Sequence, residues 1–277
     1  MNLKYISNDL DCYHVSKSHS CKVECVNTFL GSGEKKLTVI CQNIRSIGQN
    51  LTELEVLLSR LNIDTDIIIL TECWLTKIDV MPIIKGYTSY CTKNNKSQNE
   101  GVTVFIKSTI SALVEEPPSF EANCLVVKIG ADTSIVAVYR PPSYRTYDNF
   151  LNAMDSILSS LKMFSNIIVT GDMNININAI NSDTNCDKYL DLMAFHNLLS
   201  AHTLPTRKDS CLDHAFLKTN LEAVTLVLLT TLTDHYTLLI TLQNHFIPAD
   251  ETKLCKTINY SNINKSSMAH PRSTEMY

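Results

Sequence analysis

IIVTGDMNININ, residues Ile167 to Asn178, decides how the rest of this 277-residue chain is read. Ile167, Ile168 and Val169 start a buried strand: β-branched side chains fit a pleated, packed surface. Thr170, Gly171, Asp172 and Asn174 then follow, before further alternation of Ile and Asn. Residues two apart on an extended segment face the same way, about 7 Å apart. Asp172 and Asn174 would therefore present a carboxylate and an amide to one side. Gly, Asp and Asn also form turns, so a turn is the plain alternative to a rigid strand end that offers polar groups to a ligand.

The neighbouring segments repeat the pattern. KLTVICQN is a strand that runs into Asn43. DIIILTE is a buried strand that ends in Glu72. GVTVFIK and NCLVVKI are strands. SIVAVYRPP is a strand that ends at Tyr139 and Arg140, because Pro141 and Pro142 cannot continue a ladder. CLDHAFLK carries Asp213 inside a strand, and AVTLVLL and YTLLITL close the series, with Asp234 and His235 just before the last. Asn50 and Glu53 have capping-box spacing, and Leu51, Leu54, Leu58 and Leu61 follow at helical spacing. Phe150, Leu151, Met154, Ile157, Leu158 and Leu161 form a second helical stripe, and residues 188–199 a third helix. Strands outnumber helices, which favours two packed sheets with helices outside over strict βαβ winding.

Hydrophobic residues make up 44% of the chain and charged residues 19%, enough to fill a sizeable core. A formal charge of −4 argues against a surface coated in positive charge, though not against a local basic rim. The ten cysteines contain no C-x-x-C pair, and Cys41, Cys73, Cys124 and Cys211 lie within apolar runs, as buried thiols do. The N-terminus lacks a secretory apolar core, so an intracellular setting, nuclear or cytoplasmic, is expected. The apolar stretch 221–242 is interrupted by Asp234 and His235 and reads as two strands, not a membrane span. Residues 1–36 read as a poorly ordered leader, 37–242 as one domain, and 243–277 as a tail. The leader's Cys12, His14, His19, Cys21 and Cys25 fit no standard zinc spacing and are taken as solvated. His196, His202 and His214 are taken as structural.

Strand ends of a layered sheet gather on one edge. If Glu72, Asp172, Asp213 and Asp234 meet there, each like-charged pair at 4 Å costs about 4 kcal/mol at an effective dielectric near 20. Such a cluster needs a cation, a proton or a histidine. Oxygen ligands without thiolate suit Mg²⁺ or Mn²⁺ better than zinc. A magnesium site beside a histidine suits attack of water on a phosphorus ester.

The order of motifs carries a resemblance: QN at 42–43, LTE at 70–72, YRPP at 139–142, GDMN at 171–174, Thr206 with SCLDHAF at 210–216, and TDH at 233–235. They resemble the endonuclease/exonuclease/phosphatase superfamily, with its DNase I-like fold, over residues 37–242. NIRSIGQNLTELEVLL, IIILTECWL, GVTVFIK, AVYRPPS and IIVTGDMNI are most similar to the endonuclease domain of non-LTR retrotransposon polyproteins. The resemblance implies a four-layer α/β sandwich and Mg²⁺- or Mn²⁺-dependent hydrolysis of phosphodiesters, with duplex DNA as partner. It implies Glu72 as principal metal ligand with Asn43, and Asp234 on the metal side. Asp172 would orient or deprotonate the attacking water. Asn174 and Tyr139 would contact the scissile phosphate. His235 would polarise that phosphate or act in proton transfer, its ring held by Asp213. Arg45, Arg140 and Thr206 would contact the substrate, and Arg145 would add to a sparse basic rim. Two departures stand out: Thr233 replaces the usual serine, and Glu100 stands where a Gly-Gly precedes the GV strand. No reverse-transcriptase-like stretch follows residue 242, so a truncated element or host-acquired copy is expected. A phosphatase or RNA-trimming member of the same superfamily, or an inactive remnant acting as a binding module, are the competing expectations.

Overall fold

The computed structural model describes residues 16–30, 36–75, 80–118, 121–144, 146–179, 184–243 and 245. One sheet has seven strands: β1 (Lys17–Cys21), β2 (Lys36–Asn43), β3 (Ile67–Thr71), β4 (Tyr87–Cys91), β5 (Val102–Lys107), β12 (Ala223–Leu228) and β13 (Thr237–Gln243). Their order across the sheet is β1-β12-β13-β2-β3-β5-β4. The second sheet has six: β6 (Ala112–Glu115), β7 (Asn123–Ile129), β8 (Thr133–Tyr139), β9 (Asn166–Asp172), β10 (Leu199–Ser200) and β11 (Asp213–Lys218). Its order is β10-β11-β9-β8-β7-β6. β2 runs parallel to β3, and β8 parallel to β9. β13 runs antiparallel to β2, and β11 antiparallel to β9.

The period-2 rule assigns the faces. On β2, Leu37, Val39 and Cys41 enter the core between the sheets, while Ile40 points to the outer layer. Ile67 and Ile69 of β3, Ile135 and Ala137 of β8, and Ala215 and Leu217 of β11 share the inner core. The central strands, such as β2, β3, β8 and β9, are buried on both faces, which is why they read as near-continuous apolar runs. Helix α2 (Ile47–Leu61) covers the seven-stranded sheet with Ile47, Leu54, Leu57 and Leu61, and ends at Asn62 in the left-handed conformation, φ 47°. On the six-stranded sheet lie α3 (Tyr147–Ser160), through Phe150, Met154 and Leu158, and α4 (Thr184–Phe195), through Cys186, Tyr189 and Met193. The result is the expected four-layer sandwich, helix on sheet on sheet on helix.

Several boundaries differ from expectation. Residues 16–30 are part of the domain, not a leader. β1 pairs in parallel with β12, and a 3₁₀ turn (Val23–Cys25) and the short helix α1 (Val26–Phe29) follow it. Cys21, Val23 and Val26 are buried in the outer core with Leu226 and Leu228. A short strand of mostly polar residues, KSHSC, has no periodic signature; its backbone pairing with the edge of β12 places it. Of the leader's other candidate ligands, His19 stacks on Phe29 at 4.6 Å, Cys25 is exposed, and Cys12 and His14 lie outside the described residues. At the other end His245 is buried, its Nε2 2.5 Å from the hydroxyl of Thr133; the tail from 246 lies outside the described residues. The Asn50–Glu53 capping box is not used, because α2 starts at Ile47. Asn50 instead donates to the carbonyls of Ile44 and Arg45, tying down the loop that enters the helix. The helix expected at 188–199 runs from 184 to 195; a left-handed Asn197 breaks it, and Leu199 joins β10. Among the described residues Cys21, Cys41, Cys73, Cys124, Cys186 and Cys211 are buried thiols outside any disulfide.

A chain beginning at residue 37 should be measurably less stable than the full chain. Exposing the outer core beneath Cys21, Val23 and Val26 removes about 5 kcal/mol of apolar burial. A thermal melt followed by circular dichroism should show a midpoint lower by on the order of 10 °C; an unchanged midpoint would mean that residues 16–30 only decorate the edge.

Candidate active site

Topology brings the polar strand ends together. β2 and β3 are parallel, so Asn43 and Glu72 emerge on the same edge. β8 and β9 are parallel, so Tyr139 and Asp172 do the same, directly paired. β11 runs the other way, and its first residue, Asp213, pairs with Asp172. β13 also runs the other way, so Asp234 and His235, just before it, arrive at the end of β2. Four of these polar residues continue an inward-facing series: Leu37, Val39, Cys41, Asn43; Ile168, Thr170, Asp172; Leu217, Ala215, Asp213; Ile135, Ala137, Tyr139. The cleft is the rim of the inter-sheet core, where the apolar filling gives way to amides and carboxylates.

The hydrogen bonds link both sheets. Asn43 Nδ2 donates to Glu72 Oε1 at 2.9 Å and to Asp172 Oδ2 at 2.8 Å. The backbone N–H of Asn174 donates to Asp172 Oδ1 at 3.0 Å, and its amide Nδ2 to the carbonyl of Arg140 at 2.9 Å. His235 Nδ1 donates to Asp213 Oδ2 at 2.7 Å, both side chains almost fully buried. Asp172, Asp213 and His235 each offer a ligand atom, all within 4.8 Å of one another. Gly171 is required by packing: its φ is 139°, and a Cβ there would lie 1.8 Å from the carbonyl oxygen of Val138. Glu72 (φ 52°), Trp74 (φ 57°) and Asn174 (φ 48°) are non-glycine residues in the left-handed region, as are Arg45 and Ser46. Such strain gathers where surrounding contacts over-determine the backbone. Here Ser46 N–H donates to the Glu72 carbonyl, and Trp74 N–H to the Glu100 carbonyl.

The electrostatics match a crowded anionic centre. Burial drives the Asp172 carboxyl upward, with the Asp213 charge adding to it; His235, the Asn174 N–H and the Asn43 amide only partly offset this. For His235, burial lowers the imidazole pKa, but the hydrogen bond and charge of Asp213, helped by Asp172, outweigh it and raise the net value. Burial, then the charges of Glu72 and Asp172, raise the Tyr139 phenol, which stays protonated. Asp213 Oδ1 is buried without a hydrogen-bond partner. Hard oxygens, an unpaired buried carboxylate oxygen and a surplus of negative charge fit a divalent cation. Glu72 and Asn43, beside Asp172, are the residues that would hold it.

Not every candidate lies in the cleft. Arg140 is buried and turned inward: Nη2 donates to the Tyr144 carbonyl at 2.7 Å and the guanidinium lies 4.9 Å from the Tyr147 ring centroid. It braces the loop after β8. Thr206 is also buried, and its hydroxyl accepts the N–H groups of Leu212 and Asp213 at 3.1 and 3.0 Å, so it shapes the start of β11. The Asp234 carboxylate does not join Glu72; Arg45 Nη1 meets Oδ1 at 2.8 Å and Arg207 Nε meets Oδ2 at 2.9 Å. Burial would raise its pKa, but Arg207 and Arg45 hold it below the ordinary value. Arg145 lies outside the described residues. Thr233 keeps the hydroxyl's role, donating to the Asn43 carbonyl at 2.9 Å and accepting from the His235 N–H at 3.1 Å. Glu100 is buried and pins its loop, accepting from Lys96 N–H, the Ser97 hydroxyl and the Tyr144 hydroxyl. His214 is structural, between the Tyr189 hydroxyl and the Ile175 carbonyl, and burial lowers its pKa to about 4. Sequence reading gave no role to Gln42, beyond its place in the QN motif, or to Arg207; the Gln42 amide donates to the Asn43 carbonyl, the Thr233 hydroxyl and the His235 carbonyl, and Arg207 binds Asp234. The signals were present: Gln42 adjoins Asn43, and Arg207 follows Thr206 in a PTRKDS turn.

Residues 133–239 match a family model described as endonuclease-reverse transcriptase. Among curated proteins no sequence matches the chain. Solved structures are similar in fold at low identity. AP endonuclease LMAP from Leishmania major has a TM-score of 0.63 at 12% identity, covering 88% of this chain and all (100%) of that one. The 3′ phosphatase NExo from Neisseria, bound to a product DNA hairpin, gives 0.58 at 13%, covering 75% and 99%. The catalytic domain of APE2 from Xenopus laevis gives 0.55 at 16%, covering 78% and 96%.

The His235–Asp213 pair makes a direct expectation for the metal-free protein. An NMR titration should place the His235 pKa above 6.5, its ordinary value, and Asp213→Asn should lower it. Because the folded value is raised, the pair's contribution to stability is complete below the unfolded pKa and is lost as pH rises through the folded one. A His235 titration unmoved by Asp213→Asn would break the pairing.

Proposed function

We propose that the chain, whose fold is DNase I-like, is a member of the endonuclease/exonuclease/phosphatase superfamily and, within it, a divalent-metal-dependent endonuclease that nicks duplex DNA, of the non-LTR retrotransposon type. The observation that carries this reading is the joined constellation at the rim: Asn43 on Glu72 and Asp172, and Asp213 on His235. A purely structural cluster has no need of an unpaired buried carboxylate oxygen and a polarised histidine side by side. The family match over 133–239 and the DNA-bound neighbour support a nucleic-acid substrate.

The residues divide the work. Asp172 orients the attacking water and takes its proton, a role suited to a carboxyl whose pKa is raised toward neutrality. Asp213 holds His235 by Nδ1, which leaves Nε2 for a phosphate oxygen, and the raised imidazole pKa favours the charged ring. The Tyr139 phenol and the Asn174 amide are neutral donors placed beside them for the scissile phosphate. Glu72 and Asn43 would hold Mg²⁺ or Mn²⁺, which would neutralise charge on the phosphoryl oxygens.

A supercoiled plasmid should be nicked in the presence of Mg²⁺ or Mn²⁺, and EDTA should stop the reaction. His235→Ala and Asp172→Ala should each lower the rate by about 10²–10⁴-fold, and Glu72→Ala should shift the metal optimum upward. Equal nicking by wild type and His235→Ala would assign the activity to a contaminant. Release of phosphate from inositol phosphates without DNA nicking would replace the endonuclease with a phosphatase.

A further inference from the structure

Arg45 and Arg207 approach one carboxylate from two loops that are far apart in sequence. Arg45 follows β2 by two residues, with φ 43°; its N–H bonds Asn43 Oδ1 at 3.3 Å and Asn50 holds its carbonyl at 3.0 Å. Arg207 sits in a tight turn closed by paired backbone hydrogen bonds to Ser210, at 3.0 and 2.9 Å. The preceding carbonyl, of Thr206, accepts the N–H of Tyr236 at 2.8 Å, which ties this turn to the residue after His235. Between the two guanidiniums lies Asp234, 2.8 Å from Arg45 Nη1 and 2.7 Å from Arg207 Nη2. The backbones are rigid and the side chains outward: Arg45 is 48% exposed and Arg207 38%, whereas His235 and Asp213 are at 2%.

We propose that Arg45 and Arg207 form a phosphate-binding fork at the rim of the cleft, kept poised by Asp234, that grips a backbone phosphate of DNA beside the one being cut. This rests on the endonuclease reading and deepens it. Two cations and one anion leave the fork with a charge of +1. Behind it, Glu72, Asp172 and Asp213 would repel an approaching phosphate, and the chain as a whole carries −4. Each guanidinium has five N–H donors. Arg45 spends Nη1 on Asp234 and Arg207 spends Nε and Nη2, so both keep donors for another anion. A half-exposed ion pair is weak in water, so phosphate oxygens can share or replace the carboxylate. Asp234 thus acts as a place-holder: without substrate it fixes the spread of the two guanidiniums at a distance from which both reach one small anion.

The test measures binding of a fluorescent DNA duplex in EDTA, where no cleavage occurs, over a range of salt concentrations. In B-DNA each phosphate contact contributes about 0.9 to the slope of log affinity against log salt. Arg207→Ala and Arg45→Ala should each reduce that slope by about 0.9 and weaken binding by roughly five- to ten-fold. Arg207→Lys should keep the slope, because the charge remains, while losing part of the affinity with the bidentate geometry. Asp234→Asn should tighten binding by about five-fold, since it removes one negative charge about 4 Å from the phosphate. Unchanged slopes in both alanine variants, or Asp234→Asn binding no tighter than wild type, would reduce the triad to a structural ion pair and overturn the fork. The endonuclease reading is judged separately, by plasmid nicking with Mg²⁺. Nicking with unchanged slopes refutes the fork alone, and altered slopes without nicking refute only the nuclease.

Discussion

One carboxamide joins the two halves of the molecule. Asn43 ends a strand of the seven-stranded sheet, yet its Nδ2 touches Glu72 on its own sheet and Asp172 on the other. That double contact is possible only where two sheets pack with their inner faces in register and their parallel strand pairs end on the same edge. The apolar positions Leu37, Val39, Cys41 and Ile168 set the spacing of the sheets; Asn43 is the next inward position after Cys41, and Asp172 follows Thr170 in the series that starts at Ile168. The core and the site are therefore one structure, and a change of volume in the inter-sheet layer would be felt as a change in carboxylate separation.

The same burial that builds the fold creates the chemistry. Asp172, Asp213 and His235 are all buried, so their mutual electrostatics are poorly screened. Burial alone would favour the neutral forms of Asp172 and His235. The direct hydrogen bond from His235 to Asp213 instead raises the imidazole pKa, while Oδ1 of Asp213 stays buried without a partner. The cleft is stable as a protein rim only with protons, a cation or a histidine to balance it, and that imbalance is what suits it to a phosphate ester.

Strained loops hold the side chains at this rim. Left-handed Arg45, Ser46, Glu72, Trp74 and Asn174 lie directly after the strands that carry the site, and each lies in a loop fixed by a backbone or buried side-chain contact. Glu100 and Thr233, where the chain departs from the pattern it resembles, both serve as anchors. The first ties the loop before β5 to Tyr144; the second ties the His235 loop to the end of β2. Substitution at these places keeps the hydrogen-bonding demand of the loop even where the residue type changes.

Strand existence, the helical stripes, the inward polar ends and the order of motifs were legible in the sequence, because each depends on local periodicity or on residues close together in the chain. The polar end of β9 at Asp172 and Asn174 could be read from its own neighbours; the approach of Val138 that leaves no room for a Cβ at Gly171 could not. Contacts between distant segments were not legible. β1 was invisible because its stability comes from pairing with β12, about 200 positions away, and not from its own side chains. The inward turn of Arg140, the structural hydroxyl of Thr206 and the capture of Asp234 by Arg45 and Arg207 depend on which loops the sheets bring face to face. A sequence states which groups a chain can offer; burial and proximity, set only when the two sheets pack, decide which of them meet substrate and which hold the frame.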